Sequence, residues 1–144
     1  MSTTLDGRAL GRTHYATRAV LERSLAPLGL TFPQALLLNA LAGAVGPLPR
    51  DEAAAGLVQA LKVAGPAAQA TLTELVAAQL VAPLPEDPGT VTLTPAGRRL
   101  QRRVAGVSGE IGARLWADLP AGDLAVAARV LEVVRRRAEA ELAA

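Results

Sequence analysis

Residues 83–100, "PLPEDPGTVTLTPAGRRL", decide how the chain is read. Two short β-prone runs, about 80–84 and 90–94, flank the turn "PEDPG", where Pro and Gly punctuate the chain. Thr94 and Pro95 then suit a helix start, because a Thr oxygen accepts from freed N–H groups and proline has no N–H to lose there. The stretch is a β-hairpin feeding a helix, so the elements on either side set the fold.

Downstream, Leu100, Val104, Val107, Ile111 and Leu115 recur at steps of four, three, four and four, which marks one face of a long fifth helix. Residues 120–142 give a sixth, with Leu124, Ala127, Leu131, Val134 and Ala138 at similar spacing. Upstream, residues 8–28 form a first helix with Leu10, Leu21, Leu25 and Leu28 on one side. "TFPQ" (31–34) has the form of a capping box and opens an almost wholly apolar second helix, about 32–45. "GPLP" (46–49) reads as a loop, and "RDEAAAGLVQAL" as a third helix with acids in its first turn. Gly65-Pro66 begins a fourth, running to about Leu80 with Ala68, Leu72, Leu75 and Val76 on one face. The stripes of the fifth and sixth helices are longer than so small a core can use. With the first helix they are expected to be buried against a second copy of the chain.

Composition agrees with a mainly α protein of one domain. Hydrophobic residues make up 51% of 144 but aromatics only 2%, so the core must be Leu, Val and Ala. No run reaches the roughly 20 apolar residues of a membrane span, the N-terminus lacks a signal-peptide core, and cysteine is absent. A cytoplasmic protein with no membrane association is expected. One histidine and no cysteine exclude thiolate chemistry, zinc fingers and HExxH metal sites, and no GxGxxG or P-loop pattern is present. No metal or cofactor is expected.

The stretch "GLVQALKVAGPAAQATLTELVAAQLV", within residues 55–82, is similar to the helix-turn-helix of the MarR family of regulators and its closing LxxxGLV element. Leu57, Leu61, Val63, Leu72, Leu75, Leu80 and Val81 fill the apolar positions. "VTLTPAGRRL" (91–100) resembles the family's second wing strand and the start of its fifth helix, and "TFPQALLLNAL" its second helix. The resemblance spans nearly the whole chain. It implies a winged helix-turn-helix with a two-stranded β-wing and long dimerisation helices: a winged-helix lobe at 32–97, with 8–28 and 98–142 forming the dimer. It further implies a homodimer that places two recognition helices in successive major grooves of double-stranded DNA and responds to a small hydrophobic or phenolic ligand.

The charges bear on the DNA partner. Binding DNA requires Lys and Arg against phosphates and hydrogen-bonding side chains against bases. Candidates are Arg50, Lys62, Gln69, Thr71, Thr73, Arg98 and Arg99. Across residues 50–93, however, two bases face five acids, Asp51, Glu52, Glu74, Glu86 and Asp87, a net charge of −3. From Leu80 to Gly97 there is no Lys or Arg, where the family usually carries a basic wing. The sequence therefore points to a regulator with a weakened DNA-contact surface and puts tight DNA binding in question.

In the family a ligand pocket lies between the first, second and fifth helices. The polar and aromatic residues that could share it are His14, Tyr15, Arg18, Asn39, Glu110 and Trp116. On a helical wheel His14 falls between Leu21 and Leu25, facing inward, and an imidazole in an apolar cavity can act as a general base near neutrality. An alternative therefore stays open: a MarR-like protein that has lost DNA binding and binds or transforms a phenolic, polyketide-like molecule, as a cofactor-free isomerase or cyclase with His14 as its base. Structural readings compete at each position. His14 can be a hydrogen-bonded core or interface residue, Arg18 an ion-pair partner of Glu22, Asn39 a bridge between helices and Trp116 an interface anchor. The "RRR" at 135–137 reads as a charged face near a helix C-terminus, where the helix dipole favours cations.

Overall fold

The computed structural model describes residues 4–144. The elements run α1 (Gly7–Leu25), a 3-10 turn (Ala26–Leu28), α2 (Phe32–Gly43), β1 (Leu48–Pro49), α3 (Arg50–Leu61), α4 (Gly65–Ala77), β2 (Val81–Leu84), β3 (Asp87–Leu93), α5 (Pro95–Trp116) and α6 (Ala121–Ala143). They make two compact units, one ending at Gly109 and one spanning residues 110–144, so the division falls inside α5.

Local chemistry accounts for most boundaries. Asp6 caps α1 by accepting from the Ala9 N–H at 2.8 Å. The capping box is complete at α2: Thr31 Oγ1 accepts from Gln34 N at 3.3 Å, and Gln34 Oε1 accepts from Thr31 N at 3.0 Å. Lys62 (φ 57°) ends α3, and Gln79 (φ 62°) turns the chain from α4 into β2, both in the left-handed region.

The sheet has order β1-β3-β2. It is three-stranded where two strands were expected, because Leu48 and Pro49 of the supposed loop pair with Val91 and Thr90. Two residues are too few to show a period-2 pattern, and an edge strand tolerates a proline that lacks an N–H. In the hairpin Val81 pairs with Leu93, Ala82 with Thr92 and Pro83 with Val91; the register then shifts to Leu84 opposite Asp87. The turn is therefore tighter than the expected "PEDPG" loop, since Asp87, Pro88 and Gly89 belong to β3. The Asp87 carboxylate secures that irregularity, accepting from Thr90 Oγ1 at 2.6 Å and from Gly89 N at 3.3 Å.

The hairpin is locked to α5 at its far end. Thr94 N donates to the Leu80 carbonyl at 3.1 Å, Thr94 Oγ1 donates to the Gln79 carbonyl at 2.7 Å, and the same hydroxyl accepts from Gly97 N at 3.0 Å. A Cβ on Gly97 would lie 2.0 Å from the Leu80 carbonyl oxygen, so only glycine lets this crossing close.

The core of the first unit is aliphatic, as the composition requires. Leu25, Leu37, Leu38, Leu72, Leu75, Val81, Val91 and Val104 are fully buried and belong to one cluster. A smaller cluster of Ala54, Leu57 and Ala68, covered by Leu36, Val58, Leu61 and Val63, joins α3 to α4. Val104 brings the first half of α5 into the lobe's core, which is why the compact unit extends beyond residue 97.

In α6, Val126, Val130, Leu131, Val133, Val134 and Leu142 are exposed. Arg135 is paired with Glu132 and with Glu139, the latter at 2.8 Å, and Glu132 and then Glu139 raise its pKa above the ordinary arginine value. The helix dipole is not what places these cations. α6 runs on to Ala143 with no basic residue in its last turn, and the dipole's influence fades within that turn.

Candidate nucleic-acid interface

α3 and α4, joined by the left-handed Lys62 with Val63 and Ala64, form a helix-turn-helix, and α4 is its second helix. The buried side of α4 is Ala68, Thr71, Leu72 and Leu75. Its open side presents Pro66, Ala67, Ala70, Thr73 and Glu74, with Gln69 half-buried at the edge. Thr71, expected to meet DNA, lies on the buried side of α4. It is 7% exposed and its hydroxyl donates to the Ala67 carbonyl at 3.1 Å, because position 71 falls on the same stripe as 68, 72 and 75.

Three long-range contacts order the remaining polar groups. Arg50 Nη2, at the start of α3, donates to Thr73 Oγ1 at 2.8 Å, which brings a cation to the open side of α4. Gln69 Nε2 donates to Asp51 Oδ1 at 3.1 Å, and Gln34 Nε2 donates to Glu74 Oε2 at 3.3 Å. Sequence reasoning named Gln69, Thr73 and Arg50 but missed the bonds of Gln34 to Glu74 and of Asp51 to Gln69. The partners lie 40 and 18 positions apart, and no local pattern links them.

The other candidate cations are Lys62, Arg98 and Arg99. Lys62 Nζ donates to the Gln59 carbonyl at 2.6 Å. Arg98 reaches back to the wing, its Nη2 lying 3.5 Å from Thr92 Oγ1, and Arg99 is exposed. Glu52 and Glu86 are also exposed. Residues 50–93 carry a formal sum of −3, with Arg98 and Arg99 following on α5.

The residues proposed from sequence for a ligand pocket do not share an enclosure within the first unit. His14 is exposed, with its ring 5.7 Å from that of Tyr15, which is itself 73% exposed. The inward position expected for His14 fails because the buried contacts of α1 begin only at its C-terminal end, with Leu25. Arg18 donates to Glu22 at 3.2 Å and stacks over Phe32, 4.3 Å from the ring centroid. Asn39 Oδ1 accepts from Gln101 Nε2 at 3.1 Å and so bridges α2 and α5. Glu110 and Trp116 fall in the second unit and are exposed there. An open groove of about 460 Å³ lies on α1 instead, lined by Ala9, Arg12, Thr13, Ala16 and Thr17. With His14 unenclosed in the protomer, its role as a buried general base has no geometric support. Among the described residues no cluster of three or more His, Asp or Glu could hold a metal ion, and no single helix is long and apolar enough to cross a membrane.

Helix-turn-helix, three-stranded wing and long flanking helices define a winged-helix DNA-binding fold. No protein-family model and no curated protein matches the sequence, and the relationship comes from solved structures. The MarR family protein Rv2887 of Mycobacterium tuberculosis, solved in complex with DNA, is 30% identical, with 91% of this chain and 98% of that one covered at a TM-score of 0.69. The same protein has been solved with p-aminosalicylic acid. Transcriptional regulator PA3341 is 26% identical, covering 92% and 97%, at 0.76. A mutant MarR from E. coli complexed with operator DNA is 25% identical, covering 89% and 91%, at 0.71. The chain belongs to the MarR family of transcriptional regulators.

Proposed function

We propose that this chain is a ligand-responsive regulator that acts as a homodimer on double-stranded DNA through a weakened contact surface. The observation that carries the reading is the charge of the lobe: Arg50 and Lys62 against five acids over residues 50–93, with Arg98 and Arg99 the nearest added cations. Arg50, Gln69 and Thr73 on and beside α4, with Arg98 and Arg99 behind the wing, are the DNA-contacting set. Lys62 contributes at the turn.

The salt dependence of binding tests this. Each neutralised phosphate contributes about −0.9 to the slope of log K against log salt. With Arg50, Arg98 and Arg99 on phosphates, about three contacts per protomer give a slope near −5 for the dimer. The measurement is fluorescence anisotropy of the full chain on duplexes chosen from a random pool, between roughly 50 and 200 mM salt. A slope of about −8 or steeper contradicts a weakened surface, and no binding to any duplex overturns the regulator reading.

For the ligand, the relative solved with p-aminosalicylic acid and its complex with salicylic acid support a small phenolic acid. Arg18 supplies a cation beside an aromatic ring, with His14, Tyr15 and Asn39 on the same unit. Salicylate at millimolar concentration is expected to release bound duplex, and Arg18→Ala to weaken that response. Release unchanged in the variant removes Arg18 from the ligand site.

A further inference from the structure

We infer that Gln69 reads an adenine in the major groove and that Asp51 is the positioning residue that gives this contact its selectivity. The inference rests on the DNA-binding reading above and names what that surface recognises. Gln69 is the fifth residue of α4, in the half of a second helix that reaches base edges. Its flanks are Pro66, Ala67 and Ala70, all exposed, and none is long enough to keep the helix from the groove floor.

The amide can face only one way. A carboxylate accepts and cannot donate, so the Gln69 atom 3.1 Å from Asp51 Oδ1 must be the NH2 group. Rotating the amide would set its carbonyl oxygen against the carboxylate. In the held orientation one N–H goes to Asp51, and the second N–H and the carbonyl oxygen remain for a base. Adenine supplies an acceptor at N7 and a donor at N6, the complement of that pair. Guanine places O6 where N6 would be, and the Gln69 oxygen then meets another acceptor. Thymine, on the partner strand, offers its methyl group to the exposed Ala70 and Ala67 side chains. α4 itself carries no Arg or Lys on its open side to read guanine. Arg50 is bonded to Thr73, one turn beyond Gln69, and is assigned to phosphate.

The experiment is site selection with the full chain from a random duplex pool, followed by anisotropy on the selected duplex and on copies with single base-pair changes. The expected result is at least one A·T pair per half-site at which A→G costs about tenfold. Gln69→Ala abolishes that difference. Asp51→Asn removes a charge and frees the amide to turn, so it raises affinity for every duplex and shrinks the A-over-G ratio. An Asp51 that acts only by repulsion raises affinity and leaves the ratio intact, which overturns its positioning role. A selected G·C pair whose preference disappears in Arg50→Ala but survives in Gln69→Ala overturns the assignment of the base contact. Failure to bind any duplex overturns both this inference and the regulator reading, whereas binding with a preference indifferent to Gln69 overturns the inference alone.

Discussion

Replacing Gly97 by alanine should be among the most damaging single-methyl changes in the lobe. The added Cβ would sit 2.0 Å from the Leu80 carbonyl oxygen, 2.9 Å from its carbon and 3.3 Å from the Leu80 Cα, against 3.4 Å or more for an ordinary contact. All three atoms are backbone, so no side chain can swing aside. α5 must retreat by more than about 1 Å, and that strains the two bonds that join the hairpin to it, Thr94 N to Leu80 O and Thr94 Oγ1 to Gln79 O. Losing two such bonds costs about 1 kcal/mol each, and forced overpacking adds about 1–3 kcal/mol. Against this stands a helix-propensity gain of at most about 1 kcal/mol. The net loss is about 3 kcal/mol, or roughly a 10 °C fall in Tm for a chain of this size.

Urea denaturation followed by circular dichroism measures the difference, with Gly56→Ala as the control. Gly56 lies within α3 and a Cβ there meets nothing within 4 Å, so that variant should hold or gain up to about 1 kcal/mol. A Gly97→Ala protein as stable as its parent, beside a well-behaved Gly56→Ala, would refute the argument that this glycine exists for a backbone crossing.

Other expectations follow from the same geometry. Thr71→Val keeps the shape of a buried side chain whose hydroxyl bonds only to its own helix, so DNA affinity should stay within about twofold, the range of surface-neutral changes; a large loss would return Thr71 to the interface. Glu86→Lys at the exposed wing tip should strengthen DNA binding and steepen the salt slope by about 1 per protomer engaged, measured by the same titration. Leu131→Glu with Val134→Glu places charges on the uncovered stripe of α6 and should shift the protein to monomer in sedimentation velocity, while a dimer that persists would remove α6 from the interface.

How far the sequence could carry the fold depended on how local each signal was. The capping box at Thr31 and Gln34, the Thr94-Pro95 start of α5 and the stripe of α4 are written within a few residues, and each appears in the structure as read. β1 was missed because a two-residue edge strand leaves no pattern, and its proline argues against a strand. Thr71 was misplaced by its chemistry: a hydroxyl suggested a base contact, while its position beside Leu72 and Leu75 already put it on the core stripe. His14 shows the opposite error. A wheel gives the direction of a side chain but not whether anything stands opposite, and the N-terminal part of α1 contains no buried residue. The network that matters most for the candidate interface, Asp51 with Gln69 and Glu74 with Gln34, is tertiary and had no sequence signal beyond residue type.

That network changes what the acidic charge implies. Asp51 holds Gln69, Glu74 is held by Gln34, and Asp87 closes the wing's irregular turn, so three of the five acids have defined structural partners. Amide and hydroxyl donors satisfy a carboxylate without neutralising it, so the repulsion of phosphate persists. Phosphate attraction sets the strength of non-specific binding, whereas base contacts set discrimination. A lobe that forgoes the first while orienting a side chain for the second loses affinity on all DNA alike and keeps the difference between sequences. Because competing genomic sites vastly outnumber any operator, occupancy depends on that difference multiplied by site frequency. On the proposed reading, the acid at position 51 therefore weakens DNA binding and preserves its selectivity through the same contact.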